Sequence, residues 1–426
     1  MTAIMILPWA LLRLVSGMFE SPKYPKSNQS EPTDLPVPYD SKRLAASSDF
    51  ASLPAIAYAY DPLPAQRAQL PCPLLSFPDQ AALADEHTSL NSIRLDPIAA
   101  GLQYRSSIDH VRASKHFTAN FDETLNLIRM LAEDDSASDV EAQHGITLAK
   151  LAKKAIRPGL EHQMVLAAHY MFPGADEQRI AQIAALTIMY FVFDDKVEET
   201  PDRQLHIFRN DFIRRLQGRR DPDAKVSAFQ NHVDSIVQGI EAEDAAGGDG
   251  GREMIDALRG AFKCVHPPEQ GFRSVAEYLT FRRQNVGADF VVAAAKFAIK
   301  SSVDTTSPLY THFITLISDH LGIVNDLYSY DKEARALAGG EISDIINLVD
   351  VIKNVTGLKG TPDAKSVAWS LQLQVEREIW EELEGFKGQD LGDEVWAFLD
   401  AVVTTATGNV MFCMTTSRYG GEAARI

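Results

Sequence analysis

Cysteine is scarce in this sequence: only Cys72, Cys264 and Cys413 occur among 426 residues. An odd number of cysteines at wide spacing provides neither a disulfide framework nor a zinc-ligand pattern, and it favours a reducing compartment. The patterns His-x-x-x-His, Cys-x-x-Cys, Gly-x-x-x-x-Gly-Lys and Gly-x-Ser-x-Gly are also missing. Their absence removes the usual sequence evidence for zinc proteases, zinc ribbons, P-loop NTPases and α/β-hydrolases.

The sequence has no excess of basic residues either. Its 41 lysines and arginines are outnumbered by 58 aspartates and glutamates, which gives a formal net charge of −17. This balance argues against nucleic acid as the main partner, because a phosphate-binding face needs a basic excess. A small anionic substrate stays compatible, since bound metal ions can supply positive charge. With 45% hydrophobic and 23% charged residues, the composition is that of an ordinary globular protein.

Long uninterrupted apolar runs are lacking as well. The apolar stretch at residues 2–15 contains Pro8 and Arg13, is too short to span a bilayer and has no basic region before it. We therefore expect a cytoplasmic protein without stable membrane insertion. A membrane-surface helix at this stretch is the alternative to an irregular start.

Prolines, by contrast, are concentrated near the N-terminus, where twelve of the 21 lie between residues 22 and 97. Helices do not run through such a density, and the stretch lacks the apolar alternation that is typical of a sheet. The sequence therefore predicts a proline-rich, largely irregular N-terminal extension over residues 1–104 that wraps the main body. Deletion of residues 1–100 is expected to leave a folded domain.

From about residue 105 the prolines thin out and apolar residues recur with helical spacing. Thr361 and Pro362 mark one helix start, as a threonine cap followed by proline at the first helical position. The sequence predicts one all-α domain over residues 105–426, with about ten helices around a shared interior and no strand pair. The predicted helices include 175–197, 203–219, 224–243, 253–263, 273–300, 307–337, 361–383 and 393–416.

Four carboxylates lie at the end of the predicted helix 175–197 and directly after it. Asp194 and Asp195 follow the apolar run TIMYFVF, and Glu198 and Glu199 lie one turn later on the same face. Like charges this close repel one another unless a cation lies among them, and carboxylate oxygens are ligands that Mg²⁺ prefers. A solvated acidic helix end is the alternative interpretation. The apolar run weakens it, because such a helix belongs in the core and ends at a cavity.

A second polar stripe lies on the predicted helix 307–337. Asn325, Ser329 and Glu333 are four residues apart, so an amide oxygen, a hydroxyl and a carboxylate lie along one face. Such a set of oxygens suits one divalent ion, and a bound metal would supply the partners that buried polar side chains need. The alternative is a polar helix end with local side-chain hydrogen bonds.

Two motifs resemble, in their order and separation, the metal-binding motifs of class I terpene synthases: Asp194-Asp195-x-x-Glu198 and Asn325-Asp326-x-x-Ser329-x-x-Lys332-Glu333. The segment YLTFRR at 278–283 is similar to the part of that family that carries a diphosphate-sensing arginine. Arg418-Tyr419 is similar to the family's C-terminal Arg-Tyr pair. The resemblance extends roughly over residues 110–420 and is strongest to filamentous-fungal sesquiterpene synthases.

This resemblance implies a fold and a reaction. The fold is a single helical bundle around a central apolar pocket. Arg282, Lys332, Arg418 and Tyr419 would hold the diphosphate of a prenyl substrate. The implied reaction ionises farnesyl diphosphate and cyclises the resulting carbocation to a sesquiterpene hydrocarbon or alcohol. Three Mg²⁺ ions would be held by the predicted ligands Asp194, Asp195, Glu198, Asn325, Ser329 and Glu333.

Several alternatives stay open at the level of sequence. Glu198 or Glu199 completes the acidic motif, and Arg282 matches the family pattern better than the adjacent Arg283. A diterpene cyclase acting on geranylgeranyl diphosphate and a chain-elongating prenyl diphosphate synthase are alternative enzymes, although the second motif favours cyclisation. A non-catalytic helical scaffold would keep the fold without binding metal. A homodimer is compatible with the sequence.

Overall fold

Helices dominate the structure, as the apolar periodicity predicts. The computed structural model describes residues 90–134, 161–199, 227–245, 250–262, 267–342 and 344–420, together with residues 58–63, 73–75 and a few isolated positions. Over 161–164 and 192–199 it describes the backbone alone. These segments contain twelve helices and one pair of short strands. The predicted all-α class is therefore confirmed for the described part of the chain.

The helices are numbered in chain order. The first six are α1 (Phe117–Glu133), α2 (Glu161–Met171), α3 (Glu177–Glu199), α4 (Ala228–Ala245), α5 (Gly251–Ala261) and α6 (Val275–Asn285). The last six are α7 (Ala288–Ala298), α8 (Thr311–Ala338), α9 (Leu348–Thr356), α10 (Thr361–Lys387), α11 (Asp393–Thr415) and α12 (Ser417–Gly420).

The strand pair corrects the prediction that no strands are present. Strands β1 (Ser92–Leu95) and β2 (Val111–Ser114) pair antiparallel, with Ser92 opposite Ser114 and Leu95 opposite Val111. All four residues of β2 are buried, so this strand shows no apolar alternation. A four-residue run that is covered on both faces carries too little periodicity to be recognised from the sequence.

Helix α11 is the central element of the core. Every residue from 398 to 415 is buried, and α11 packs against α2 and α8. Among the described residues it is the one helix long and apolar enough to cross a membrane, and 94% of that apolar stretch is buried inside the protein. Its apolar character is therefore accounted for by packing against the surrounding helices.

Several helix predictions differ from the structure. The stretch predicted as one helix over 273–300 is divided between α6 and α7, because Gly287 takes a φ of +69° that ends the helical path. Neither α1 nor α2 has a counterpart among the helices predicted by position, and α9 was not predicted either. Helix α9 begins at an Asn347 cap whose side chain accepts a hydrogen bond from the amide of Val349. The predicted helix 203–219 lies almost entirely outside the described residues.

Described parts of the proline-rich extension pack into the helical body. Ile56, Leu63 and Leu95 are buried in the same apolar core as the helices. Leu75 forms an isolated parallel bridge with Ile108, at the start of the predicted helical domain. These contacts belong to one compact unit that begins at residue 38. They argue against the expectation that residues 1–100 can be removed without loss of the fold.

We therefore predict that deletion of residues 1–100 strongly destabilises the protein. The deletion removes Ile56, Leu63 and Leu95 from the core, and loss of each large buried side chain costs about 2–5 kcal/mol. Thermal unfolding followed by circular dichroism, together with the soluble yield, measures the effect. Deletion of residues 1–50 is the control, since it retains all of these contacts. A soluble 101–426 chain with an unchanged Tm would contradict the prediction.

Candidate active site

A cavity of about 780 Å³ collects most of the predicted site residues. Its volume lies within the range of about 300–1,000 Å³ that is usual for ligand pockets. The polar lining includes Arg282, Asn325, Ser329, Lys332, Glu333, Arg418 and Tyr419. The apolar lining includes the aromatic rings of Tyr190, Phe191, Phe272, Phe290 and Phe412. The fold thus places charged groups and aromatic faces around one space.

The stripe on α8 forms part of the cavity wall. Asn325, Ser329 and Glu333 all line the cavity, and the Ser329 hydroxyl donates to Glu333 Oε1 at 2.6 Å. The Asn347 amide, just before α9, donates to Ser329 Oγ at 3.3 Å and to Glu333 Oε2 at 3.1 Å. Adjacent hydroxyl and carboxylate oxygens therefore stand together on one helical face.

The acidic motif occupies the last two turns of α3. Asp194, Asp195 and Glu198 are helical, but their side chains lie outside the described residues, so their part in the site stays a prediction. Tyr190 and Phe191, one turn earlier, both line the cavity. Helix α3 therefore reaches the cavity shortly before the acidic motif begins.

Arg282 projects from α6 into a buried polar network beside the middle of α8. Its Nη2 atom lies 2.8 Å from Asn325 Oδ1 and 2.7 Å from Asp326 Oδ1. Asp326 is completely buried, and its Oδ2 atom accepts hydrogen bonds from the Tyr278 hydroxyl at 2.5 Å and from the Leu348 amide at 3.0 Å. Asp326 thereby holds both the arginine and the start of α9 in place.

Burial sets the charge balance of this network. It raises the pKa of the Asp326 and Glu333 carboxyls above their usual range, and at Glu333 the neighbouring Asp326 charge adds to the rise. Burial, the largest single influence, would lower the pKa of Arg282, but the interactions with Asp326, Tyr278, Glu333 and Tyr190 together outweigh it and the pKa is raised. Because these surroundings disfavour the negatively charged form of Glu333, a cation bound beside the carboxylate would relieve that cost.

The two adjacent arginines of α6 have different surroundings. Arg282 lines the cavity, whereas Arg283 forms a two-pronged ion pair with Asp319 of α8, with Nε–Oδ1 at 2.6 Å and Nη2–Oδ2 at 2.8 Å. Neither Arg283 nor Asp319 lines the cavity. Arg282 is therefore the arginine available to a ligand in the cavity.

The C-terminal pair reaches the same cavity from α12. The Asn325 amide donates to the Tyr419 hydroxyl at 3.0 Å, and Arg335 donates to the Tyr419 carbonyl at 2.7 Å. The Arg418 guanidinium lies 5.3 Å from the ring centre of Phe191. Helix α12 thus contacts both the polar stripe on α8, through Asn325, and the aromatic lining of the cavity, through Phe191.

Sequence reasoning assigned no role to Asp326, Tyr278 or Asn347. Asp326 carried a signal, because it directly follows Asn325 within the second motif. Tyr278 lies four residues before Arg282, so helical spacing places both on one face of α6. Nothing in the sequence marked Asn347 as a site residue, because it precedes a short helix and its hydrogen bonds to α8 form only in the folded protein.

The oxygen donors of the α8 stripe fit a hard divalent cation. An amide oxygen, a hydroxyl and a carboxylate are the donor types that Mg²⁺ accepts. Among the described side chains no group of three or more His, Cys, Asp or Glu is placed to hold a metal. A site at Asn325, Ser329 and Glu333 therefore depends on neutral oxygens together with one acid, and the α3 acids stay the predicted complement.

Comparison with known proteins gives a consistent result. Residues 185–376 match the family model described as "Terpene synthase family 2, C-terminal metal binding". The chain is 23% identical over 340 residues to terpene cyclase 6 of Gibberella fujikuroi, covering 78% of this chain and 86% of that protein. It is 24% identical over 278 residues to aristolochene synthase of Penicillium roqueforti, covering 62% and 78% of the two chains.

Solved structures show the same fold. The crystal structure of aristolochene synthase from Penicillium roqueforti superposes with a TM-score of 0.51 at 16% identity, covering 81% of this chain and 97% of that one. Germacradien-4-ol synthase from Streptomyces citricolor superposes with a TM-score of 0.51 at 17% identity, covering 71% and 97%. At these identities the likeness concerns the helical architecture alone.

Proposed function

We propose that the chain is a member of the terpene synthase family, whose members act on prenyl diphosphates, and that it converts farnesyl diphosphate to a cyclic sesquiterpene with Mg²⁺. One observation carries the proposal. Seven polar residues that the second motif and the two arginine segments predict all line one cavity, whose other walls are aromatic and aliphatic. The relatives named aristolochene synthase support a sesquiterpene product.

The polar wall is suited to bind the diphosphate. The planar guanidinium of Arg282 can present two parallel N–H donors to phosphate oxygens, while Lys332, Arg418 and Tyr419 add a charge, a second guanidinium and a hydroxyl. Mg²⁺, when bound, supplies positive charge that stabilises the departing diphosphate. The resemblance implies three such ions.

The ligands for those ions are proposed on both motifs. Asn325, Ser329 and Glu333 would hold one of them, and Asp194, Asp195 and Glu198 would hold the others. The neutral oxygens of the α8 stripe suit Mg²⁺ without accumulating more negative charge beside the buried Asp326.

The aromatic wall is suited to the step that follows. Heterolysis of the allylic C–O bond sends the electron pair to the diphosphate and leaves a carbocation. Phe191 stacks on Phe412 at 5.7 Å, and Tyr190 on Phe290 at 6.1 Å, so ring faces surround the apolar part of the cavity. Such faces stabilise a cation, and a dry wall protects it from water until it loses a proton or captures one water molecule.

A parallel incubation tests this function. The purified chain and Mg²⁺ are combined with geranyl, farnesyl or geranylgeranyl diphosphate, and volatiles are analysed by gas chromatography and mass spectrometry. We expect a cyclic C15 product from farnesyl diphosphate. A C20 product alone would favour the diterpene cyclase. Longer diphosphates formed with added isopentenyl diphosphate would favour the elongating enzyme, and the absence of any turnover would favour the scaffold.

A further inference from the structure

A short part of the N-terminal extension packs against α8 and the C-terminal turn beside the site. We call residues 58–63 the N-terminal strap. The Tyr60 hydroxyl donates to Asp331 Oδ2, and the Tyr60 ring packs edge-to-face on Tyr328 with the ring centres 6.2 Å apart. Asp331 also pairs with Lys365 of α10, with Nζ–Oδ1 at 2.7 Å. The strap thus contacts the turn of α8 that carries Ser329 and Glu333, but on the opposite face of the helix, because Asp331 lies two residues from each.

The same strap contacts the C-terminal turn. The Tyr60 amide donates to the carbonyl of Met414, near the end of α11, at 2.8 Å. Gly420, the last residue of α12, lies directly against the strap: a Cβ atom there would be 2.5 Å from Tyr60 Cδ2 and still closer to the Tyr58 hydroxyl. The turn that carries Tyr419 therefore packs against the strap without space for a methyl group.

The base of the strap is anchored by a buried ion pair. Arg105 Nε lies 3.0 Å from Asp61 Oδ1, its Nη2 lies 2.5 Å from Asp61 Oδ2, and its side chain is 4% exposed. The Asp61 carboxylate also accepts from the Leu63 amide at 3.0 Å. The Arg105 carbonyl accepts from Trp369 of α10 at 3.0 Å. Two-pronged arginine pairs are geometrically specific, so this anchor defines the position of Tyr60.

From these contacts we propose that the N-terminal strap is a positioning element of the active site, with Tyr60 holding the ligand-bearing turn of α8 against the Arg418–Tyr419 turn. The inference rests on the proposed function for its consequence, because the two turns carry the groups proposed to bind the metal and the diphosphate. Tyr60 does not line the cavity and acts through its neighbours. According to this proposal, the N-terminal extension helps to organise the active site.

Two substitutions test the strap from opposite sides. Tyr60→Phe removes the hydroxyl bond to Asp331 and keeps the ring, and Gly420→Ala forces the C-terminal turn away from the strap. We expect Tyr60→Phe to raise the KM for farnesyl diphosphate about threefold to tenfold, the effect of one hydrogen bond, with a smaller change in kcat. Gly420→Ala should raise the KM in the same direction through the steric clash. Tyr310→Phe, at a buried tyrosine outside the cavity, is the matched control and should leave KM unchanged.

Two further measurements separate positioning from mere stability. The Kd of inorganic pyrophosphate in the presence of Mg²⁺ should rise in both variants, and the share of acyclic, water-quenched product should increase because the cavity closes less well. All variants are compared well below their Tm. If Tyr60→Phe only lowers Tm and leaves KM, the pyrophosphate Kd and the product ratio at wild-type values, the proposal is overturned.

The design also separates this proposal from the proposed function. If the wild-type chain converts no prenyl diphosphate, the proposed function fails, and the pyrophosphate Kd still reports on the strap. If the wild-type chain is active while both variants bind pyrophosphate normally, only the strap proposal fails. Should Tyr60→Phe not fold, Gly420→Ala decides the outcome by the same measurements.

Discussion

Replacement of Glu333 or Asn325 by alanine is expected to abolish turnover while leaving the helical fold intact. Both side chains line the cavity on α8, and they are the outer members of the proposed metal-binding stripe. Removal of a single group that stabilises developing charge typically lowers kcat by about 100-fold to 1,000-fold, and loss of a metal ligand should reach or exceed the upper value. Steady-state kinetics measures this loss.

The fold and metal binding are measured in parallel. Circular dichroism should show unchanged helix content, because neither side chain fills the apolar core. Mg²⁺ with pyrophosphate should raise the Tm of the wild-type chain and raise it much less in the variants, since a ligand stabilises only the state that binds it. Glu381→Ala, at an exposed glutamate of α10, is the control and should behave as wild type. Near-normal activity in both variants would refute the metal assignment.

Gly408→Ala is expected to cause a large loss of stability. Gly408 of α11 lies against the end of α2: an added Cβ would be 2.5 Å from the Tyr170 carbonyl carbon and 2.8 Å from Met171 Cα. The Thr405 hydroxyl donates to the Met171 carbonyl at 2.7 Å across the same contact. Because the obstacle is backbone, the helices must separate, and we expect a loss of about 3 kcal/mol, the upper end of the usual cost of overpacking.

Chemical denaturation of the variant measures this free energy of unfolding. Gly385→Ala on α10 provides the matched control, because no atom lies within 4 Å of a Cβ built at Gly385. There the same change should increase stability by about 0.5–1 kcal/mol, the helical preference of alanine over glycine. If the two variants unfolded at the same denaturant concentration, the close approach of α11 and α2 would be wrong.

Much of the fold could be read from local patterns. The apolar spacing of α3, α8, α10 and α11 repeats over five turns or more, so each helix was predicted to within a few residues. The spacing of Asn325, Ser329 and Glu333 likewise depends only on helical geometry, and the three side chains do line one cavity. Patterns of this kind can be recognised in the sequence because residues close together in the chain generate them.

Other features were missed because they depend on residues distant in the chain. Leu75 bridges to Ile108, and Asp61 pairs with Arg105, although proline density alone suggested a dispensable extension. The break at Gly287 requires a positive φ that no periodic pattern records. In each case the deciding contact or conformation is absent from the local sequence signal.

The sequence by itself determined the helical class, the two motifs and the types of side chain available to bind a metal and a diphosphate. Only the tertiary structure decided that Arg282 rather than Arg283 reaches the cavity, and that Tyr60 contacts Asp331 of α8. The physical reason is that helical periodicity acts over four residues, whereas burial, ion pairing and cavity shape arise when segments hundreds of residues apart pack together.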